Sequence, residues 1–156
     1  MASTEPALSD PVRAEPHRCG ILVVDDDEEI RELLRIALSA DGYTVAGVPN
    51  GREALYYLRS HADVCIVLLD LMLPEMDGAA FRAAQQRDRS LAWIPIVVMS
   101  AMIDADRRAR EIGARRFVRK PLDLDEVRHA LRLIGCCQAR PRQATDRARA
   151  PFDLHS

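Results

Sequence analysis

Residues 21–31 read ILVVDDDEEIR: four apolar residues run straight into three aspartates, and a helix-like pattern starts behind them. Like charges about 4 Å apart repel by roughly 4 kcal/mol at an effective dielectric near 20. Three adjacent carboxylates at the tip of a buried strand are therefore unfavourable unless something positive joins them. Either the acids fan out into water or they hold a cation, and the rest of the chain has to say which.

Working outward, the strand-then-helix pattern repeats. ILVV (21–24) is a short apolar run, followed by Ile30, Leu33, Leu34, Ala37 and Leu38 at helical spacing until Asp41-Gly42 stops the helix. YTVAGV (43–48) reads as a second strand, and Asn50 with Glu53 forms a cap pattern opening a helix through Ser60. VCIVLLD (64–70), the most apolar strand, leads into the loop LMLPEMDG and a helix through Gln86 that presents Phe81 and Ala84. IPIVVMS (94–100) is a fourth strand, and a helix from Asp104 to Ile112 ends at Gly113. RFVRKP (116–121) is a fifth, and the last helix opens on Asp123 and Glu126, with Leu124, Val127, Ala130, Leu131 and Ile134 at core spacing. Near-continuous apolar strands alternating with helices predict an α/β fold: a five-stranded parallel sheet with helices on both faces.

Composition bounds the function. At 156 residues, 48% apolar and 29% charged, the chain is one domain's worth and can bury a core without disulfides or structural metal. No run of about 18 apolar residues occurs, so no membrane span is expected. The opening MASTEPALSDPVRAEP lacks the pattern of a secretory signal, and a cytoplasmic protein is expected. Residues 1–17, with three prolines, and the Arg-, Ala- and Pro-rich 136–156 read as flexible tails. Charge divides as −1 over residues 1–18, −3 over 19–135 and +2 over 136–156. A weakly acidic core argues against a nucleic-acid surface, and the four arginines of the last segment read as solvated. Cys19, Cys65, Cys136 and Cys137 follow no zinc spacing and are expected to be free thiols; the four histidines share no helical face.

Of 22 basic residues, 21 are Arg, and the only Lys is Lys120. A chain drifting toward Arg keeps lysine where a compact ammonium cannot be replaced by a planar guanidinium, which makes Lys120 a site candidate. In a parallel sheet, function collects at the carboxyl ends of the strands. The polar residues standing there are Asp25 and Asp26 after the first strand, Asp70 after the third, Ser100 after the fourth and Lys120 after the fifth. Each alone reads equally well as structural, the aspartates and Ser100 as helix caps; together they define one rim.

VVDDDEEIREL, DVCIVLLDLMLPEMDG, VVMSA and FVRKPL, in this order, closely resemble the response-regulator receiver domain of two-component signalling. The resemblance covers residues 18–135 and implies a flavodoxin-like (βα)5 fold. It implies that Asp70 is the phosphoacceptor and that Asp25 and Asp26 form the acidic pair. Mg²⁺ (or Mn²⁺) would be bound by that pair, directly by Asp26, together with Asp70 and the Met72 backbone carbonyl. Ser100 would hydrogen-bond one phosphoryl oxygen, Lys120 would pair with another, and Phe117 stands where the family has its rotating aromatic, here without a tyrosine hydroxyl. Asp27 falls outside the pocket, as a residue favoured at a helix start. Without metal, the clustered aspartates are expected to titrate together, with at least one proton held more tightly than normal.

The implied output is conformational: Ser100 drawn toward the phosphoryl group, Phe117 turning in behind it, and a changed surface on the fourth helix, fifth strand and fifth helix. Residues 136–156 have no room for an effector module, so a stand-alone regulator is expected, working through a histidine kinase or phosphotransfer protein and a separate output protein, with a homodimer as a further form. Two alternatives stand beside it. A haloacid-dehalogenase-like phosphohydrolase needs an acid two residues after its nucleophile, where this chain has Met72. A pseudo-receiver would bind partners without phosphorylation; here every chemical position is filled.

Overall fold

The computed structural model describes residues 19–135. Five strands and five helices alternate: β1 (Gly20–Val24), α1 (Glu28–Ala40), β2 (Thr44–Val48), α2 (Gly51–Ser60), β3 (Val64–Asp70), α3 (Gly78–Arg87), β4 (Ile96–Ser100), α4 (Ala105–Glu111), β5 (Arg116–Arg119) and α5 (Leu124–Ile134). All neighbouring strands pair in parallel, in the order β2-β1-β3-β4-β5. The sheet is that of the flavodoxin-like receiver fold.

Alternation along each strand divides the core in two. Leu22, Val24, Val67, Leu69, Ile96 and Val98 face one side, where they meet Ala54, Leu55 and Leu58 of α2, Phe81 of α3, and Ala105 and Ala109 of α4. Ile21, Val23, Ile66, Leu68, Val97 and Met99 face the other, covered by Leu34 and Leu38 of α1 and by Val127, Ala130 and Leu131 of α5. Because β1, β3 and β4 are buried on both faces, their sequences show apolar runs rather than a polar–apolar alternation. The β2 edge strand is only partly covered.

The helix starts follow the capping chemistry in the sequence. Asp27, Asn50, Asp77 and Asp123 each accept a backbone N–H of the following turn. Asp104 differs: its carboxylate pairs with Arg107 and Arg108 and makes no cap bond. Gly42, with φ +97°, takes the left-handed turn that ends α1.

Several expectations are corrected. Leu33 is 45% exposed, because the stripe of α1 that meets the sheet is narrow: Leu34 and Leu38 fill it, and Leu33 is rotated about 100° away. β4 begins at Ile96 rather than 94, since Ile94 N donates to Leu91 O in a turn and Pro95 has no N–H to offer. β5 ends at Arg119, one residue before the cis Lys120–Pro121 bond, where Pro121 again lacks a donor for the ladder. Cys19 is disulfide-bonded, contrary to the free-thiol expectation; it is buried at the start of β1, in the cluster that receives Ile134 from the last turn of α5. The Cys65 thiol donates to the Asp63 carbonyl at 3.4 Å, while Cys136, Cys137 and both terminal segments lie outside the described residues.

One buried polar residue holds the approach to β4. Gln85 of α3 is fully buried, its amide nitrogen donating to Leu91 O and Ile94 O, both at 3.0 Å, and its oxygen accepting from Arg82 at 2.8 Å. Arg82 in turn donates to Ile112 O at the end of α4. Gln85→Leu keeps the bulk but takes the side-chain donor from the Ile94 carbonyl, leaves Leu91 O with Ile94 N alone and removes an acceptor from Arg82, so it is expected to lower unfolding stability by about 1–3 kcal/mol. Urea titration checks this; a loss within ~0.5 kcal/mol would mean that water replaces the amide.

Candidate functional site

The strand order brings the sequence candidates onto one rim. β1 and β3 are neighbours, with Val24 level with Leu69, so Asp25 and Asp70 leave the sheet side by side. β4 delivers Ser100 next to β3, and β5 delivers Lys120 from the far side. The Lys120 ammonium reaches back over β4 to both acids, 2.7 Å from Asp25 Oδ2 and 3.1 Å from Asp70 Oδ2. A single point charge shared by two carboxylates is a task that an ammonium does better than a guanidinium fork, in keeping with the one lysine of the chain.

Asp25 is completely buried and fully engaged. Its Oδ1 accepts from Asp27 N at 2.9 Å, its Oδ2 from Lys120, its N–H donates to Val48 O at 3.1 Å, and its carbonyl accepts from Arg31 at 2.7 Å. Asp70 is buried too, with Oδ1 accepting from Met72 N at 3.0 Å and Oδ2 from Lys120. Asp26 is exposed, and carboxylate oxygens of Asp25, Asp26 and Asp70 lie within 4.8 Å of one another. The third acid of the run, Asp27, turns the other way and caps α1, accepting from Glu29 N. The triple aspartate thus splits between a shared cluster and a helix cap.

Titration follows from this crowding. Burial is the largest influence on Asp70 and pushes its carboxyl above the ordinary aspartate range; the Asp25 charge adds to this, while Met72 N–H and Lys120 oppose it. For Lys120, burial works against the ammonium, but its contacts with Asp25 and Asp70 outweigh it and the net direction is up. The expectation of a tightly held proton in the metal-free cluster agrees with the direction at Asp70.

Ser100 is fully buried at the end of β4, with Oγ accepting from Met102 N at 3.2 Å and its carbonyl accepting from Lys120 N at 3.0 Å. Phe117 is half-buried, pairs with Val98 across the ladder and packs against the α2–α3–α4 side of the core. Met72 is 62% exposed, so its apolar bulk lies at the rim rather than in the pocket.

Two arginines at the site went unnoticed in the sequence. Arg31 grips the Asp25 carbonyl, and Arg119 lies 5.3 Å from the Phe117 ring centroid while donating to Met102 O at 3.2 Å. In a chain with 21 arginines, composition gives no signal for either. Their targets are backbone carbonyls and a ring face, which leave no charge pattern to read.

The donor set suits a hard divalent cation. Three carboxylates supply oxygen only, two of them buried and pre-oriented, and the exposed third leaves the cluster open to water, as Mg²⁺ prefers. The Lys120 ammonium already marks the place as one that requires positive charge.

Comparison with known proteins agrees. A family model, the response regulator receiver domain, matches residues 21–132. The chain is 36% identical over 110 residues to the regulatory protein AtoC of Escherichia coli, covering 69% of this chain and 23% of that one. It is 38% identical over 109 residues to the transcriptional regulatory protein GltR of Pseudomonas aeruginosa, covering 69% and 45%. The chain spans half or less of the length of these curated relatives. Among solved structures, a response regulator from Chloroflexus aurantiacus superposes with a TM-score of 0.70 at 26% identity over 74% of this chain and 96% of that one. A signal receiver domain of an HD domain-containing protein from Pseudomonas fluorescens gives 0.68 at 29% identity over 90% and 99%. With the matched span running through all five strands and the acidic rim, this chain belongs to the response regulator receiver domain family of two-component signal transduction.

Proposed function

We propose that the protein is a cytoplasmic response regulator that accepts a phosphoryl group on Asp70 and signals through the surface formed by α4, β5 and α5. The observation that carries this is the Lys120 bridge: one mostly buried ammonium holds Asp25 and Asp70 together beside the exposed Asp26. That arrangement keeps a nucleophilic carboxylate oriented and its negative neighbours compensated. A receiver spanning 18–135 between two flanking segments, 1–17 and 136–156, is part of the same proposal. Among the described residues no helix is long and apolar enough to cross a membrane.

Asp25, Asp26, Asp70 and the Met72 carbonyl would hold Mg²⁺ (or Mn²⁺), which supplies positive charge against the repulsion between these acids and an anionic phosphoryl group. The donor is a phosphohistidine of a kinase or phosphotransfer protein. An Asp70 oxygen forms the new P–O bond as the donor's P–N bond breaks, and the imidazole leaves with the electron pair and takes up a proton. Lys120 is placed to follow one phosphoryl oxygen. Ser100 Oγ, released from Met102 N, is placed to take another, which frees the β4–α4 turn and the space beside Phe117. The protein promotes only its own phosphorylation and dephosphorylation. A separate output protein, or a second copy of the chain, reads the α4–β5–α5 face.

Beryllofluoride, a phosphoryl mimic, tests this on the full chain. With Mg²⁺, saturable amide shifts are expected at Ser100, Met102, Phe117 and Lys120. A well-folded protein that shows no response would refute the phosphorylation switch and favour a pseudo-receiver that binds partners constitutively.

A further inference from the structure

Asp25 and Asp26 are adjacent but are held very differently. Every polar group of Asp25 has a partner: Val48 O for its N–H, Arg31 for its carbonyl, Asp27 N and Lys120 for its carboxylate. Asp26 is exposed, and among the described residues its carboxylate has no hydrogen-bond or ion-pair partner. Its direction is therefore set by the backbone, and above all by the peptide plane that joins it to Asp25. The oxygen of that plane is the Asp25 carbonyl, which Arg31 holds at 2.7 Å. A peptide is planar, so fixing its oxygen fixes the Asp26 nitrogen and limits where the Asp26 side chain can point.

A second observation concerns the route that Arg31 takes. It sits in α1, and to reach the end of β1 its stem crosses β2 at Gly47. A Cβ on residue 47 would lie 3.1 Å from Arg31 Cδ and 3.2 Å from its Cβ, tighter than usual packing, and 3.4 Å from its Cγ, so the arginine stem would have to give by a few tenths of an ångström. Gly47 has negative φ and terminates nothing, so the missing side chain is explained by the arginine stem that lies over it.

We infer that Arg31 is a positioning residue for the cation site: by holding the Asp25 carbonyl, with Gly47 as its track, it aims the Asp26 carboxylate into the cluster shared with Asp25 and Asp70. The inference rests on the proposed Mg²⁺ site and adds to it a residue that carries the wrong charge to be a ligand. That charge makes the effect decidable. A guanidinium near a divalent-ion site repels the ion, so if charge alone mattered, neutralising Arg31 would tighten metal binding. If orientation of Asp26 dominates, the same change weakens it.

The test is titration of the full chain with MgCl₂ alone, followed by amide NMR, for wild type, Arg31→Met, Arg31→Lys and Gly47→Ala. Arg31→Met is expected to weaken binding about ten-fold, the size seen when a group that orients a metal ligand is lost. Arg31→Lys, which can still donate to the carbonyl, should fall between Arg31→Met and wild type. Gly47→Ala, which shifts the stem of an intact arginine, should also weaken binding and move the Asp26 and Asp27 amides before any metal is added. Unchanged or tighter binding by a folded Arg31→Met protein would overturn the inference, as would wild-type affinity in Gly47→Ala should Arg31→Met not fold. Wild type showing no saturable shifts near Asp25, Asp26 and Asp70 would refute the metal site itself, whereas a binding wild type beside an equally binding Arg31→Met protein would refute the role of Arg31 only.

Discussion

Asp70→Asn is expected to abolish phosphoryl uptake from a phosphodonor, measured as acid-labile phosphate on the protein, without loss of the fold. An amide oxygen is not an anionic nucleophile, and no neighbour can replace it. Asp25 is completely buried with both carboxylate oxygens engaged, and Asp26 is exposed and belongs to the cation cluster. Stable phosphate at wild-type level in the variant would show that the nucleophile had been assigned wrongly.

The same substitution has a thermodynamic signature of known sign. Because folding raises the Asp70 pKa, the unfolded chain gives up this proton at lower pH than the folded one. The contribution of Asp70 to stability is therefore fully present below the unfolded value, about 3.9, and is lost as pH rises through the raised folded value. In EDTA, Asp70→Asn should gain on wild type in urea titrations as pH climbs above about 4. Saturating Mg²⁺ should reverse the order, since the ion stabilises only a protein that can bind it well. A pH-independent difference would mean that Asp70 is not strained by its burial and by Asp25.

Much of this was legible in the sequence because a doubly covered parallel sheet writes itself plainly. ILVV, VCIVLLD and IVVMS are apolar without alternation, and Asp27, Asn50 and Asp123 mark where helices begin. The rim followed for the same reason: in a parallel sheet all strand ends face one way, so Asp25, Asp70, Ser100 and Lys120 had to gather. What remained hidden depends on distance between elements. Strand order decides that Lys120 spans two strands to reach Asp25, and no local pattern encodes it. Arg31 and Gln85 bond to backbone carbonyls, and a carbonyl has no letter in the sequence. Leu33 was misplaced because helical periodicity gives a stripe but not its width.

Lys120→Met should produce the largest loss of stability at the site. The ammonium is mostly buried and compensates two acids, of which Asp25 is wholly buried and Asp70 nearly so. Removing one member of a buried ionic group leaves the others without a counter-charge, which typically costs about 3–5 kcal/mol. A loss near the lower end, about 3 kcal/mol at pH 7 in EDTA, is expected because Asp70 has the recourse of keeping its proton. That recourse also fixes the pH dependence. With lysine gone the carboxyl pKa rises further, so the variant recovers part of its stability as pH falls and the cluster is neutralised by protons instead. Metal should act in the same direction: Mg²⁺ no longer competes with an ammonium for Asp25 and Asp70 oxygens, so the variant should bind it more tightly than wild type and be stabilised by about 2.7 kcal/mol at a hundredfold excess over the dissociation constant. Urea titrations with and without Mg²⁺ at two pH values measure all of this. A variant as stable as wild type in EDTA at pH 7, or one that gains no more from Mg²⁺ than wild type does, would show that the Lys120 bridge is not what holds the acids together. If the deficit closes on adding metal while phosphoryl uptake stays slow, the two duties of Lys120 separate: the ion can replace its charge in the resting pocket, but not the contact it makes with the incoming group.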